Sequence, residues 1–226
     1  MPTLEAEKPN LLLLPDGNRR WARLNNSTEA EAYERGAARI AEFAHYLGSL
    51  GFAEYWVGLV RPLNLMRNPR NVRAILDGCL RIYEIGQQTG KPFNVTAMGR
   101  ISSLPPGYAE QFLSQQGDPN DHGFTLHMLL GWSAEIELVD LVGQSTGHVV
   151  LDLKRETFAV SPIKKHIDLV VRTGMTKDTG RLSGMLPLHS LDAEIFFTDT
   201  LFPDFQCKNL NNALVAYANR YPKDIL

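Results

Sequence analysis

The chain has 226 residues, 44% of them hydrophobic, which suits one α/β core better than two independent domains. A formal net charge of −2 argues against a protein that coats nucleic acid or an anionic membrane, and two cysteines without metal-ligand spacing indicate buried thiols. Residues 1–10 are polar, and we expect them to be flexible. The apolar run behind them is too short for a signal segment or a membrane span, so we expect a cytoplasmic protein without stable membrane insertion.

Strands and helices alternate along the chain. Leu11 to Leu14 is typical of a short strand buried on both faces, and Thr28 with Glu31 forms a capping box that predicts a helix ending at Gly48 to Gly51. Further strands are predicted at 54–60, 93–98, 124–130, 167–171 and 194–198, with helices between them and a last one at 209–220, and a short strand is possible at 148–151. The pattern predicts a single α/β domain over residues 1–226, with a mostly parallel sheet of about six strands flanked by helices.

Charged and polar side chains follow several of these strands at their carboxyl ends. The first strand runs into Asp16, the second into the loop from Arg61 to Asn68, and the fifth into Arg172. Because the carboxyl ends of parallel strands meet at one edge of a sheet, these groups should be neighbours with enough positive charge for two diphosphates. Asp16 and Glu194 are the carboxylates best placed for Mg²⁺. Taken singly, each stretch is also typical of an ordinary turn or surface loop.

Other phosphate and metal chemistries lack their motifs. The chain contains neither the G-x-x-x-x-G-K-[ST] loop for nucleoside triphosphates nor the G-x-G-x-x-G loop for dinucleotides. Its six histidines have no metal-ligand spacing. A nucleotide is therefore not the predicted ligand of the local anion sites.

Two motifs resemble those of a known family. Asp16 to Ala22 reads D-G-N-R-R-W-A, similar to the D-G-N-x-R-W-A signature of the cis-prenyltransferases, the undecaprenyl diphosphate synthase family. Asp168 to Gly174, Arg181 to Ser183 and Ala193 to Phe205 resemble the family's D-L-x-I-R-T-G-G, R-x-S and A-E-x-x-F-x-x-x-x-W-P-D-F elements. The motifs occur in the same order and spacing at both ends of the chain, and the interpretation of Asp16 as part of an ordinary turn is rejected.

The resemblance implies that the protein is a homodimeric prenyl diphosphate synthase. It also implies a hydrophobic tunnel between the sheet and the helices. It implies that Asp16 binds Mg²⁺ and positions the allylic diphosphate, and that Glu194 assists the metal or a site completed by the dimer. The residues implied to hold the allylic diphosphate are Gly17, Asn18, Arg19 and Arg20, and those for the second diphosphate are Arg172, Arg181 and Ser183.

One element departs from the family. Where the family has F-S-S-E-N-W-x-R-P, this chain keeps only Asn64 and Arg67. These two side chains are candidates to assist proton removal, and a diphosphate oxygen is an equally good candidate for the base. The lost residues orient isopentenyl diphosphate in head-to-tail elongation, so the departure suggests altered coupling. The chain resembles the irregular, head-to-middle branch, whose members include isosesquilavandulyl and cyclolavandulyl diphosphate synthases and use dimethylallyl diphosphate as the nucleophile. Two alternatives stay open: a short-chain head-to-tail enzyme, and a non-catalytic subunit of the same fold.

Overall fold

The computed structural model describes residues 8–88, 93–116, 123–144, 163–176 and 180–220. The possible strand at 148–151, most of the amino-terminal segment expected to be flexible (residues 1–7) and the carboxyl-terminal residues 221–226 lie outside these ranges. Within these ranges, every helix is either too short or too polar to span a lipid bilayer.

A six-stranded sheet with the order β3-β4-β2-β1-β5-β6 forms the centre of the fold, and all of its described pairings are parallel. The predicted α/β architecture with a six-stranded sheet is confirmed. The strands are β1 (Leu11–Leu14), β2 (Glu54–Val60), β3 (Asn94–Gly99), β4 (Thr125–Leu130), β5 (Leu169–Arg172) and β6 (Glu194–Phe197).

Helices cover the sheet, and two of them, at residues 18–24 and 62–65, were not predicted. The helices are α1 (Asn18–Leu24), α2 (Glu29–Ser49), α3 (Pro62–Leu65), α4 (Pro69–Gln88), α5 (Tyr108–Ser114), α6 (Ala134–Gln144) and α7 (Cys207–Arg220). The capping box at Thr28 and Glu31 is confirmed at the start of α2. The residues after Gly17 were interpreted as a turn, but Gly17 takes φ +108° and the chain then enters α1 directly. Glycine adopts this left-handed backbone without steric cost.

The strand β1 lies at the centre of the sheet and is buried on both faces. Leu11 and Leu13 pack in the core shared with α2 and α4, whereas Leu12 and Leu14 pack on the opposite face. All four side chains are at most 3% exposed. This burial fixes the position of the residues that follow β1, which stand at the carboxyl edge of the sheet.

A β-bulge interrupts β2 just before its end. Gly58 pairs with Leu129 and Val60 with Leu130, so Leu59 is an extra residue on β2. Both Leu59 and Val60 contact the core under α2 and α4, although neighbours in a regular strand point to opposite faces. The bulge therefore reverses the alternation for the residue that follows, Arg61.

An ionic cluster lies at the amino end of the sheet, away from the carboxyl edge. His127 Nε2 lies 2.7 Å from a Glu54 oxygen, and the Lys165 ammonium donates to the other Glu54 oxygen. Burial alone would raise the pKa of Glu54, but the hydrogen bonds from His127 and Lys165, with their charges, lower it to about 2. The Glu54 carboxylate therefore stabilises the folded chain while it is ionised.

Replacing Glu54 by glutamine is expected to lower the urea midpoint of unfolding at pH 7. The folded-state pKa is depressed from its ordinary value of 4.5 to about 2, so the contribution is complete above pH 4.5 and disappears as the pH falls towards 2. Urea unfolding of both proteins between pH 7 and pH 3 measures the difference. The matched control is Glu34→Gln, because Glu34 is 68% exposed and lies 3.9 Å from Arg81. A Glu54→Gln defect that stays constant with pH would contradict this interpretation.

Candidate active site

A cavity of about 340 Å³ opens at the carboxyl edge of the sheet, between the ends of the strands and the helices α2 and α4. Its volume lies near the lower end of the range for small-molecule sites, about 300–1,000 Å³. The structure brings together nearly all of the predicted site residues here. Those that line the cavity are Asp16, Gly17, Asn18, Arg19, Arg20, Asn64, Arg67, Arg172, Arg181 and Ser183.

Asp16 is anchored by the neighbouring strand and by its own backbone. The Thr173 hydroxyl accepts from Asp16 N at 2.9 Å and donates to the Asp16 carbonyl at 2.8 Å. The carboxylate accepts from Gly17 N at 2.6 Å and from Arg172 Nη2 at 2.9 Å, and Arg20 Nη2 lies 3.6 Å away. Its side chain is still 38% exposed, so it remains accessible from the cavity.

The residues after Asp16 provide polar groups directed at the cavity. The buried Asn18 Oδ1 has no hydrogen-bond partner, and a Cβ added to Gly36 would approach it to 3.0 Å. Arg20 Nη2 donates to the Gly174 carbonyl at 2.6 Å, and Arg19 pairs with Glu29 at 3.3 Å. Both guanidiniums retain further N–H groups for an anion, because each carries five donors.

Arg172 is the most buried cation of the site. It is 5% exposed, and its Nε has no partner although it is buried. Burial lowers the pKa of Arg172, the Asp16 carboxylate opposes this shift, and Arg181 and Arg61 add to it by repulsion. A buried N–H donor without a partner is costly, so an anion that accepts from it is favoured.

Asn64 and Arg67 line the cavity but are already partly engaged. Asn64 Oδ1 accepts from Arg61 N at 2.7 Å, and the positive charge of Arg67 acts on the Tyr33 hydroxyl. Burial raises the pKa of Tyr33 to about 12, although Arg67 opposes the shift. Neither an amide nor a guanidinium accepts a proton near neutral pH. Any help with proton removal from these two side chains would therefore come from orienting another group.

Glu194 does not join the other predicted site residues. It is the first residue of β6, paired in register with Leu169 at the amino end of β5, whereas Arg172 stands at the carboxyl end. Its carboxylate lies 3.0 Å from Arg220 Nε. Within one chain Glu194 therefore does not meet Asp16, and its predicted metal role remains a prediction for a site completed by a second chain.

The donor set around Asp16 fits a magnesium ion. Mg²⁺ in phosphate sites is held by one or two carboxylates together with substrate phosphates and water. Asp16 offers a partly exposed carboxylate beside the arginines that would hold the phosphates. Among the described residues no group of three or more His, Cys, Asp or Glu side chains could hold a metal ion.

The inner part of the cavity is apolar, as the predicted tunnel requires. It lies between α2 and α4, where a Cβ on Gly78 would come within 2.8 Å of Tyr33 Cβ. The apolar lining residues of these helices are Ala37, Ile40, Ile75, Cys79 and Ile82. Leu76 and Phe43 of the same two helices are buried in the core and do not line the cavity.

Sequence reasoning missed two residues that build the site. Thr173 connects β5 to Asp16 through its hydroxyl, and Gly174, at φ +65°, lets Arg20 reach the backbone. A Cβ on Gly174 would lie 2.5 Å from Arg20 Nη2 and 2.9 Å from the Asp16 carbonyl oxygen. The available signal was the T-G pair directly after a strand that ends in arginine.

A sequence model of the family described as putative undecaprenyl diphosphate synthase matches residues 14–223. The chain belongs to this family of cis-prenyltransferases. It is therefore a prenyltransferase that makes prenyl diphosphates, and the alternative of a non-catalytic subunit is not supported.

Curated relatives of this prenyltransferase cover nearly its whole length. "Isoprenyl transferase 2" of Streptomyces coelicolor is 28% identical over 224 residues, covering 92% of this chain and 86% of the relative. "(2Z,6E)-farnesyl diphosphate synthase" of Mycobacterium tuberculosis is 26% identical over 231 residues, covering 94% of this chain and 86% of the relative. The crystal structure of lavandulyl diphosphate synthase from Lavandula x intermedia in complex with dimethylallyl diphosphate has a TM-score of 0.81 at 21% identity, covering 93% of this chain and 95% of that one. At this identity the likeness shows the fold.

Proposed function

We propose that this prenyltransferase ionises an allylic diphosphate, geranyl or dimethylallyl, and joins it to dimethylallyl diphosphate in a head-to-middle condensation. The product is a lavandulyl-type, branched prenyl diphosphate, and inorganic diphosphate is released. The observation that carries this proposal is the contrast between two loops. The Asp16 loop keeps the residues of its family motif, whereas the loop after β2 keeps only Asn64 and Arg67 of its own motif, and the Asn64 side chain accepts from Arg61 N.

Ionisation would take place beside Asp16. Mg²⁺, when bound, would stabilise the negative charge that develops on the departing diphosphate. Asp16 would orient that diphosphate through the ion, while Asn18, Arg19 and Arg20 would hold its oxygens. Groups fixed in place before the reaction stabilise a developing anion without reorganisation, which is the largest contribution in many enzymes.

The second substrate would be held by Arg172, Arg181 and Ser183. The allylic C–O bond breaks, and the double bond of dimethylallyl diphosphate attacks the resulting cation, so that the new C–C bond forms at its C2. The tertiary cation left at C3 then loses a proton from a methyl group. Among the described residues Asp16 is the only carboxylate that lines the cavity, and no histidine does. A diphosphate oxygen is therefore the proposed proton acceptor.

The relatives support a second candidate function. Isoprenyl transferases and a (2Z,6E)-farnesyl diphosphate synthase match over most of the chain. A short-chain, head-to-tail cis-prenyltransferase that uses isopentenyl diphosphate is thus the alternative, and the small cavity suits either short product.

Substrate omission separates the two candidates. The purified protein is incubated with Mg²⁺ and geranyl diphosphate, together with either dimethylallyl or isopentenyl diphosphate, and the dephosphorylated products are analysed by mass spectrometry. We expect product formation with dimethylallyl diphosphate. Turnover only with isopentenyl diphosphate would reject the irregular reaction in favour of the alternative.

Filling the inner cavity is expected to select the shorter allylic substrate. Cys79 is a buried thiol that lines the cavity on α4, so Cys79→Phe adds volume where the prenyl chain would lie. We expect kcat/KM to fall about 10-fold more with geranyl than with dimethylallyl diphosphate as the allylic substrate, in line with the cost of overpacking. The matched control is Cys79→Ser, which keeps the size. Equal losses of kcat/KM with both allylic substrates would show that the prenyl chain does not lie beside Cys79.

We further propose that the enzyme works as a cytoplasmic homodimer. Leu138, Val139 and Val142 are exposed apolar residues of α6, and Ile195 is exposed on the edge strand β6. Exposed apolar surface of this kind is often covered by a partner chain. Sedimentation analysis tests the dimer, and a monomer at micromolar concentration would contradict it.

A further inference from the structure

Three arginines lie at the carboxyl edge of the sheet. Arg172 ends β5, Arg181 follows it, and Arg61 follows β2, which lies on the other side of β1. All three line the cavity. Arg61 and Arg181 help to lower the pKa of Arg172 by charge repulsion. Adjacent strands are about 4.8 Å apart, so Arg61 and Arg172 approach from strands roughly 10 Å apart.

The bulge in β2 explains why Arg61 takes part. Leu59 is the extra residue, and Leu59 and Val60 both contact the core under α2 and α4. The following side chain is therefore directed towards the opposite side, where Gly184 lies. A Cβ built on Gly184, which has φ +66°, would be 4.0 Å from Arg61 Nη2. Bulges often redirect a side chain next to an active site.

Arg61 lacks a partner that would explain its position. Its Nε is buried without a hydrogen-bond partner, and no carboxylate lies within ion-pair distance among the described residues. The exposed Glu135 interacts with it only through space. Asp16 is already paired with Arg172 at 2.9 Å. Converging like charges with unpaired donors cost free energy unless an anion lies between them.

We propose that Arg61 binds the diphosphate of the second substrate, bridging it with Arg172 and Arg181 across the end of β1. This proposal rests on the proposed function only for the presence of a second prenyl diphosphate, whichever carbon of that substrate attacks. Arg61 stands where the family motif has a serine. The rewritten loop thus adds a cation to the second site while it removes the other polar groups of the motif.

Steady-state kinetics of three variants test the role of Arg61. Arg61→Met keeps the length of the side chain but removes its charge and donors, Arg61→Lys restores the charge, and Arg73→Met is the matched control on the exposed face of α4. Each substrate is varied at a saturating level of the other. We expect Arg61→Met to raise KM for the second substrate about 10- to 100-fold, as for the loss of a charged hydrogen bond, with KM for the allylic substrate within about 3-fold. Arg61→Lys should recover part of the loss, and Arg73→Met should change neither KM.

The readouts separate this proposal from the proposed function. If the product proves linear, the same KM is measured with isopentenyl diphosphate as the second substrate. Inorganic diphosphate, used as an inhibitor competing with the second substrate, should have a Ki raised in Arg61→Met and unchanged in Arg73→Met. An unchanged KM and Ki, or equal rises in KM for both substrates, would overturn the role. If Arg61→Met fails to fold, an Arg61→Lys protein with full affinity for the second substrate would overturn it as well.

Discussion

Replacing Asp16 by alanine is expected to lower kcat at least about 1,000-fold, because in the proposed mechanism the carboxylate would both orient the allylic diphosphate and supply the protein ligand for Mg²⁺. Asp16 is held by the Thr173 hydroxyl at 2.9 Å and by Gly17 N at 2.6 Å, so its position is set before substrate binds. Single-turnover measurement of diphosphate release at saturating substrate and Mg²⁺ gives the rate of ionisation.

One control for Asp16 keeps the size of its side chain, and the other removes a negative charge elsewhere in the chain. Asp16→Asn retains an oxygen that can accept from Gly17 N, and we expect it to be nearly as inactive because the negative charge is lost. Asp204→Asn removes an exposed carboxylate paired with Arg35 at 3.3 Å, outside the cavity, and should keep normal activity. Near-normal turnover by a folded Asp16→Ala protein would refute the assignment of this loop.

The second large effect is expected from Arg172→Ala, which should raise KM for the second substrate about 100-fold. Arg172 is 5% exposed and carries an unpartnered Nε, so its N–H groups are fixed for an anion. Its Nη2 also donates to Asp16 at 2.9 Å, and we expect a further fall in kcat of about 10-fold because Asp16 loses this partner. Initial rates with each substrate varied in turn separate the two effects.

Arg172→Lys serves as the control for charge. A lysine ammonium keeps the positive charge but cannot donate to Asp16 and a phosphate with the planar geometry of a guanidinium, so an intermediate KM is expected. A fall in kcat without a change in KM for the second substrate would mean that Arg172 acts only through Asp16.

The sequence predicted the fold well where burial decides the structure. The four leucines of β1 and the capping box of α2 are confirmed because a fully buried strand and a reciprocal cap leave distinctive patterns. The helix α1 was missed because Asp-Gly-Asn is typical of a turn. The decisive feature is the positive φ of Gly17, which starts the helix immediately, and no residue pattern distinguishes this from a turn that continues as a loop.

The site was predicted less completely than the fold. Because the carboxyl ends of parallel strands meet at one edge of the sheet, the sequence predicted that Arg172 and Asp16 lie together. The structure confirms that they are neighbours. The same rule should have placed Glu194 elsewhere, since it begins its strand instead of ending it. The orientation of Arg61 depends on the bulge at Leu59, which follows from the pairing of β2 with β4. Long-range pairing of this kind cannot be deduced from a local pattern.

The carbon skeleton of the product tests the central claim most directly. The protein is incubated with Mg²⁺, dimethylallyl diphosphate and geranyl diphosphate labelled with ¹³C at C1, and the dephosphorylated product is examined by NMR. The account predicts a branched product in which the labelled carbon is bonded to C2 of the dimethylallyl unit. A linear product, with the label bonded to C4 of an isopentenyl unit and formed only when isopentenyl diphosphate is supplied, would contradict it.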